Sequence, residues 1–251
     1  MLDVPAYLAR IGYSGPTTPT AETLRGVHRA HMLSVPFENL DIALGRKIVC
    51  DEDCFVRKIV ERNRGGFCYE MNGALAALLR ALGFNVTLLS ARVPCEDGSD
   101  GPEFDHLALR VDLEEPWLAD VGFGDCFLET LRLIDGEEQQ EGSRRFVIRR
   151  EGETYHLDRT DVEAVRKRQY SFTLTPRLLE EFSDMCHYHQ TSPESPFTRK
   201  RVCSVATAEG RITVADEKVI VTRNGKKEER LLGSDDERAQ ALKQYFNVVL
   251  R

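Results

Sequence analysis

Arg64-Gly65-Gly66-Phe67-Cys68-Tyr69-Glu70 joins a glycine turn to the start of a helix. The paired glycines permit a tight backbone turn. From Cys68 onward the period is helical: Met71, Leu75, Leu78, Leu79 and Leu82 fall on one face, and Gly83 is a C′ stop. This places the Cys68 sulfur at a helix N-terminus, where the dipole favours the thiolate, the reactive form. A cysteine-based acyl transferase or hydrolase is the chemistry such a site suggests.

The rest of the first third also reads as helix. Residues 3–11 form a short amphipathic stretch ended by Gly12. Thr18-Pro19 reads as a cap with proline at the first helical position, after which Leu24, Val27, His28 and His31 recur at helical spacing. Pro36 limits that helix. A third helix begins at Asp51 with Phe55, Val56, Ile59 and Val60 inward. The period then changes to two. Residues 86–93, 106–111, 117–121, 146–149, 155–157 and 170–174 read as strands, with 95–101 and 134–143 as turns, which fits an antiparallel sheet or small barrel. The last part mixes strands (201–207, 211–214, 218–223) with a final helix capped by Ser234, its apolar side carrying Ala239, Leu242 and Phe246. Asn224-Gly225 is a hairpin signal.

Bulk properties narrow the class. The 251 residues carry a net charge of −7 with both signs interspersed, which argues against nucleic acid or an anionic membrane as partner. No segment approaches the roughly 18 apolar residues of a membrane span, and the N-terminus lacks a basic n-region. The seven cysteines are scattered and odd in number, which argues against a secreted disulfide framework and for a reducing, cytoplasmic setting. Cys50-x-x-x-Cys54 has no second pair at metal-ligand spacing and reads as two small buried cysteines. His187-Tyr188-His189 reads as a loop or strand edge, and no metal site is expected.

A cysteine nucleophile needs a base, and the base needs an orienter. His106 opens one strand, and Asp120 lies in the next. With a three-residue loop the two face each other; with a five-residue loop they become diagonal neighbours. In both registers they share a sheet face, so Asp120 can hold one imidazole nitrogen while the other reaches Cys68.

The cysteine stretch is similar to the active-site signature of the arylamine N-acetyltransferases. Leu24-x-x-x-His28-x-x-His31 and Val35-Pro36-Phe37-Glu38-Asn39-Leu40-Asp41 resemble that family's N-terminal signature. Phe104-Asp105-His106 and Leu118-Ala119-Asp120-Val121-Gly122-Phe123-Gly124 resemble its histidine and aspartate motifs, in family order. The resemblance implies an α+β fold: an N-terminal helical bundle with a cysteine-protease-like core (1–84), a central antiparallel β-barrel (85–190) and a C-terminal α/β lid (191–251). It implies a Cys68–His106–Asp120 triad and ping-pong transfer of an acetyl group from acetyl-CoA to an aromatic amine or hydrazine. No tightly bound cofactor is expected. Arg64 and Glu38 are expected to form an ion pair beneath the cysteine turn. Phe37 and Phe123 are candidates to line an aromatic pocket. Asp125 and Phe127 fall where the family shapes acceptor selectivity, and the acidic Asp125 departs from expectation. The Cys68 backbone N–H is one oxyanion donor, with a second from 93–95 or 123–124. The loop 95–102 and residues 199–201 are candidate coenzyme contacts. The chain ends soon after Leu250, which implies a trimmed lid and a more open coenzyme cleft. The same triad also suits an amide synthase that closes macrolactams or a papain-like cysteine hydrolase, and a non-enzymatic binding protein on this scaffold is the remaining alternative.

Overall fold

Capped helices open the chain in a computed structural model that describes residues 2–161 and 165–250. Helix α1 (Val4–Ile11) starts where Asp3 accepts the Ala6 N–H at 2.9 Å. Helix α2 (Ala21–Ser34) is capped by Thr20, whose hydroxyl accepts the Thr23 N–H at 3.2 Å. Proline at position 19 therefore precedes the cap instead of opening the helix. A two-residue strand, β1 (Phe37–Glu38), and a single turn, α3 (Leu40–Ala43), follow. Asp51 caps α4 (Glu52–Val56), which continues into a π-helical turn at Arg57–Glu61. Phe55 and Ile59 are buried there, whereas Val56 and Val60 are only half-buried.

Helix α5 (Cys68–Ala81) is the hub. Its residues are buried on nearly every side, from Cys68 to Ala76 without a break, because α4 covers one flank and a sheet the other. A helix buried all round must satisfy its polar side chains internally, and α5 carries two such residues, Glu70 and Asn72.

That sheet contains β2 (Asn85–Arg92), β3 (His106–Asp112), β4 (Pro116–Ala119), β5 (Leu131–Arg132), β6 (Glu138–Glu141), β7 (Arg144–Glu151), β8 (Thr154–Thr160) and β9 (Arg166–Thr173). All neighbours are antiparallel in the order β5-β4-β3-β2-β9-β8-β7-β6, curled into a nearly closed barrel. Leu89, Ala108, Leu118, Phe146, Leu157 and Tyr170 fill its interior. The opposite face of β2–β4, with Leu107, Leu109, Val111 and Trp117, joins the helical core. Burial on both faces explains why these strands read as near-continuous apolar runs. Strand β6, expected as part of a turn, is an edge strand with only half-buried and exposed side chains, so burial left no apolar alternation to read.

A 3₁₀ turn (Leu179–Phe182) leads into α6 (Ser183–Thr191), then α7 (Pro196–Arg199). His187 and His189 therefore sit on a helix, not in a loop or strand edge. The second sheet runs β1-β10-β11-β12-β13, with β10 (Val202–Thr207), β11 (Gly210–Ala215), β12 (Lys218–Arg223) and β13 (Lys226–Leu231). Its first strand comes from residues 37–38, so the N-terminal region supplies an edge to the C-terminal sheet. Asn224 and Gly225, at φ +48° and +78°, make the β12–β13 hairpin turn. Helix α8 (Asp235–Phe246) buries Ala241, Leu242 and Phe246, while Ala239 is exposed. Cys54 is exposed and Cys50 half-buried, against the expectation of two buried thiols. Among the described residues no helix is long and apolar enough to cross a membrane, and no group of three or more His, Cys, Asp or Glu could hold a metal ion.

Candidate active site

Close backbone packing shapes the turn before Cys68. A Cβ at Gly65 would lie 1.7 Å from the Pro36 carbonyl oxygen, so only glycine fits. The Glu38 N–H donates to the Gly66 carbonyl at 2.9 Å, and the Phe67 N–H donates to Glu70 Oε2 at 3.2 Å. These bonds fix the first turn of α5, with Cys68 as its first residue. Beneath lies a buried ionic cluster. Arg64 contacts Glu38 at 2.7 Å and Asp41 at 3.1 Å, and Lys58 contacts Glu70 at 2.7 Å and Asp41 at 2.8 Å. Burial pushes the Glu70 carboxyl up to about 7 despite Lys58 beside it. Burial would also raise Asp41, but Lys58 and Arg64 outweigh it and hold that carboxyl below its usual range.

His106 and Asp120 come together through strand register. Only three residues, 113–115, connect the strands, yet Asp112 pairs with Pro116 and Leu109 with Ala119, a register two positions from the facing one expected for a three-residue loop, so His106 and Asp120 are diagonal neighbours. His106 Nε2 lies 2.7 Å from Asp120 Oδ2, and both side chains are buried. Asp120 Oδ1 accepts from Asn72 Nδ2 at 2.8 Å and from the Gly122 N–H at 2.9 Å. Burial opposes the Asp120 charge, but the His106 charge and these hydrogen bonds prevail and keep the carboxyl below its usual value. The Asp120 N–H donates to His28 Nε2 at 3.1 Å, and His28 Nδ1 lies 2.8 Å from the Leu128 carbonyl. A ring nitrogen that accepts an N–H carries no proton, so His28 is neutral with its proton on Nδ1; burial lowers its pKa accordingly.

Cys68, His106, Gly122, Phe123 and Phe37 line one cavity of about 610 Å³. Gly122 lets the aspartate segment meet α5: a Cβ there would lie 2.8 Å from Cys68 Cα. Burial, then the Asp105 charge, pushes the Cys68 thiol well up, opposed by hydrogen bonds from the backbone N–H groups of Leu107 and Tyr69. A thiolate at this position therefore needs a partner that takes its proton. The Phe123 ring meets His106 edge-on, with centroids 5.2 Å apart, and Tyr170 closes the other side at 5.2 Å. Cys95, Glu96, Pro102 and Arg199 also line this cavity. The Cys95 N–H donates to the Ser99 carbonyl at 2.9 Å, so it is not free to serve as an oxyanion donor.

Two of the expected pocket residues lie elsewhere. Asp125 opens on a separate cavity of about 570 Å³, where it meets Arg144 at 2.9 Å, Arg211 at 3.4 Å and Arg159 at 3.9 Å. Phe127 is fully buried in the barrel, stacked on His28 at 5.6 Å and edge-on to Phe146. Gly124, at φ +87°, redirects the chain between Phe123 and these two residues. Sequence reasoning missed Asn72, Tyr170 and the supporting role of His28. Asn72 left a signal: it lies one turn after Cys68, a polar residue in an otherwise apolar stretch.

A family model described as N-acetyltransferase matches residues 20–251. The chain is 34% identical to the arylamine N-acetyltransferase pineal gland isozyme NAT-3 of Gallus gallus, over 99% of this chain and 95% of that protein. Its structure matches the arylamine N-acetyltransferase of Salmonella typhimurium with a TM-score of 0.93 at 31% identity, covering 99% of this chain and 92% of that one. It also matches the Mycobacterium marinum arylamine N-acetyltransferase in complex with CoA, with a TM-score of 0.90 at 29% identity over 98% and 93% of the two chains. The fold is thus that of an acyltransferase. The chain belongs to the arylamine N-acetyltransferase family.

Proposed function

We propose that the protein transfers an acetyl group from acetyl-CoA to an arylamine or arylhydrazine through an acetyl thioester on Cys68. The observation that carries this reading is the shared cavity: Cys68 at the start of α5 faces the same space as His106, which is hydrogen-bonded to Asp120 at 2.7 Å. With His106 Nε2 occupied by Asp120, Nδ1 is the nitrogen left for the thiol. Proton transfer from sulfur to Nδ1 creates a thiolate–imidazolium pair, which Asp120 stabilises. The thiolate attacks the thioester carbonyl, and the tetrahedral oxyanion collapses to expel the thiolate of CoA, which leaves as the thiol after taking the imidazolium proton. The amine then attacks the acetyl-Cys68 carbonyl and gives its proton to neutral His106. Collapse returns the Cys68 thiolate and releases the amide. The Cys68 backbone N–H is suited to hold the oxyanion.

An arylamine is weakly basic and stays uncharged near neutral pH, so it enters an aromatic-walled cavity as a nucleophile. Phe37 and Phe123 supply that wall. Asp125 and Phe127 would influence the acceptor only through the segment that carries Phe123. We place the protein in the cytoplasm on its free thiols. Intact mass measurement after mixing with acetyl-CoA tests the reading. One acetyl group on Cys68, discharged by adding an arylamine, is expected. No adduct, or discharge by water at a rate unchanged by amine, overturns it.

A further inference from the structure

A second histidine borders the cavity. His189, on α6, is buried and has Nε2 3.0 Å from Asp105 Oδ1. Its Nδ1 lies 3.2 Å from Ser195 Oγ, the hydroxyl that caps α7 by accepting the Phe197 N–H. The ring is packed edge-on against Phe197 and tilted against Tyr69. Cys68, Asp105, His106 and His189 all line the same space.

Ser195 is not a nucleophile here: its hydroxyl donates to the His189 carbonyl and accepts the Phe197 N–H, so it is committed to the cap. The chemistry lies in the charge balance. Asp105 is a carboxylate near a thiol that must ionise, and a nearby negative charge disfavours a second one. Asp105 is the first charged group opposing the Cys68 anion. The His189 imidazole, whose Nε2 lies 3.0 Å from that carboxylate and has no hydrogen-bond partner among the described residues, is the group placed to offset it.

We propose that the Asp105–His189 pair is a positioning device that sets how readily Cys68 ionises, with His189 acting on the thiol through Asp105. His189 is not a catalytic residue in this scheme. Besides Asp105, the titratable groups around it are Tyr69, Tyr188 and the more distant Cys68; Glu194 and Arg199 line the same cavity. This inference rests on Cys68 as the acyl carrier.

The test is the pH profile of iodoacetamide alkylation, read at Cys68 by peptide mass mapping, for wild type, H189Q, D105N and the double variant. Loss of the imidazole removes the group that faces Asp105 at 3.0 Å, so H189Q is expected to raise the alkylation midpoint by about one pH unit, or about tenfold in rate near neutrality. D105N is expected to react at least as fast as wild type with near-UV circular dichroism and melting temperature unchanged, which separates this outcome from exposure of the buried Cys68 by misfolding. In the D105N background, H189Q is expected to have no effect on the midpoint. A wild-type profile for H189Q, or an equal shift in both backgrounds, overturns the proposal. Failure of acetyl-CoA to label wild-type Cys68 would instead overturn the reading beneath it, and alkylation is measured independently of that step.

Discussion

Asp120 is the most constrained residue of the site. Its carboxylate accepts from Asn72, the Gly122 N–H and His106, and its own N–H is held by His28. Such a carboxylate fixes the orientation of the imidazole as well as its charge. Asp120→Asn keeps the shape and removes the charge, and it should lower kcat/KM for amine acetylation by about 10²–10³ with little change in thermal stability. Asn72→Ala should behave differently. Asn72 also accepts the Val121 N–H at 2.9 Å and donates to the Leu107 carbonyl at 2.6 Å, so its loss strands two buried backbone groups. Urea unfolding should show a stability loss of about 1–3 kcal/mol together with the loss of activity. That Cys68, His106 and Asp120 would come together was legible because each sits at a point where the period changes or a turn begins. Asn72 was passed over despite its spacing from Cys68, and His28 read only as a helix-face residue, because a polar residue inside a helix looks the same whether it faces solvent or a buried carboxylate.

At the scale of elements, the turn before Cys68 depends on charges buried below it. Two cations, Lys58 and Arg64, hold three carboxylates, Glu38, Asp41 and Glu70. Removing one partner of a buried set costs more than the set contributes, because the remaining charges stay buried without compensation. Lys58→Met should therefore cost about 3–5 kcal/mol in chemical denaturation. Glu70→Gln should cost markedly less, since burial already raises that carboxyl to about 7. Gly122→Ala should impair acylation of Cys68 at least about tenfold in a rapid-quench assay, because its Cβ would press on the α5 backbone. Sequence reasoning found the Arg64–Glu38 partnership through motif order alone. Lys58 escaped it because its place in a π-helical turn swings it inward, whereas a regular helix pattern gives a lysine a solvent face.

For the whole molecule, buried histidines set the acid limit. His28 and His31 are fully buried and neutral, with pKa values pushed below the ordinary 6.5 chiefly by burial. Their stabilising contribution is complete above about pH 6.5. As pH falls further, the unfolded chain binds protons that the folded one refuses, and stability drops by up to about 1.4 kcal/mol per pH unit per histidine. Glu70 works in the opposite sense: its raised carboxyl favours the folded state as pH falls through about 7 toward its ordinary 4.5. Burial raises the Glu141 carboxyl in the same sense as Glu70, so the histidine contribution is read by difference: His31→Gln should lose less melting temperature than wild type between pH 6.5 and 5. At this scale the order of helices, barrel and final sheet was visible in the changes of period. Strands β6 and β13 were not, because edge strands that bury little carry charges on both faces.

Strand β1 has a consequence for the order in which the molecule can be made. Phe37 pairs with Ser204 on one side and bridges to Gly66 on the other, and Asn39 is tied to Val202 across 163 residues of chain. The support of the turn before Cys68 is thus completed from the far end of the sequence. On a ribosome, the helices that carry Cys68 emerge long before β10 exists to pair with β1. Through most of synthesis the segment around the thiol has an open edge, and closure waits for a contact of very high sequence separation. The surroundings of Cys68 are therefore finished late, once the last third of the chain has folded against the first.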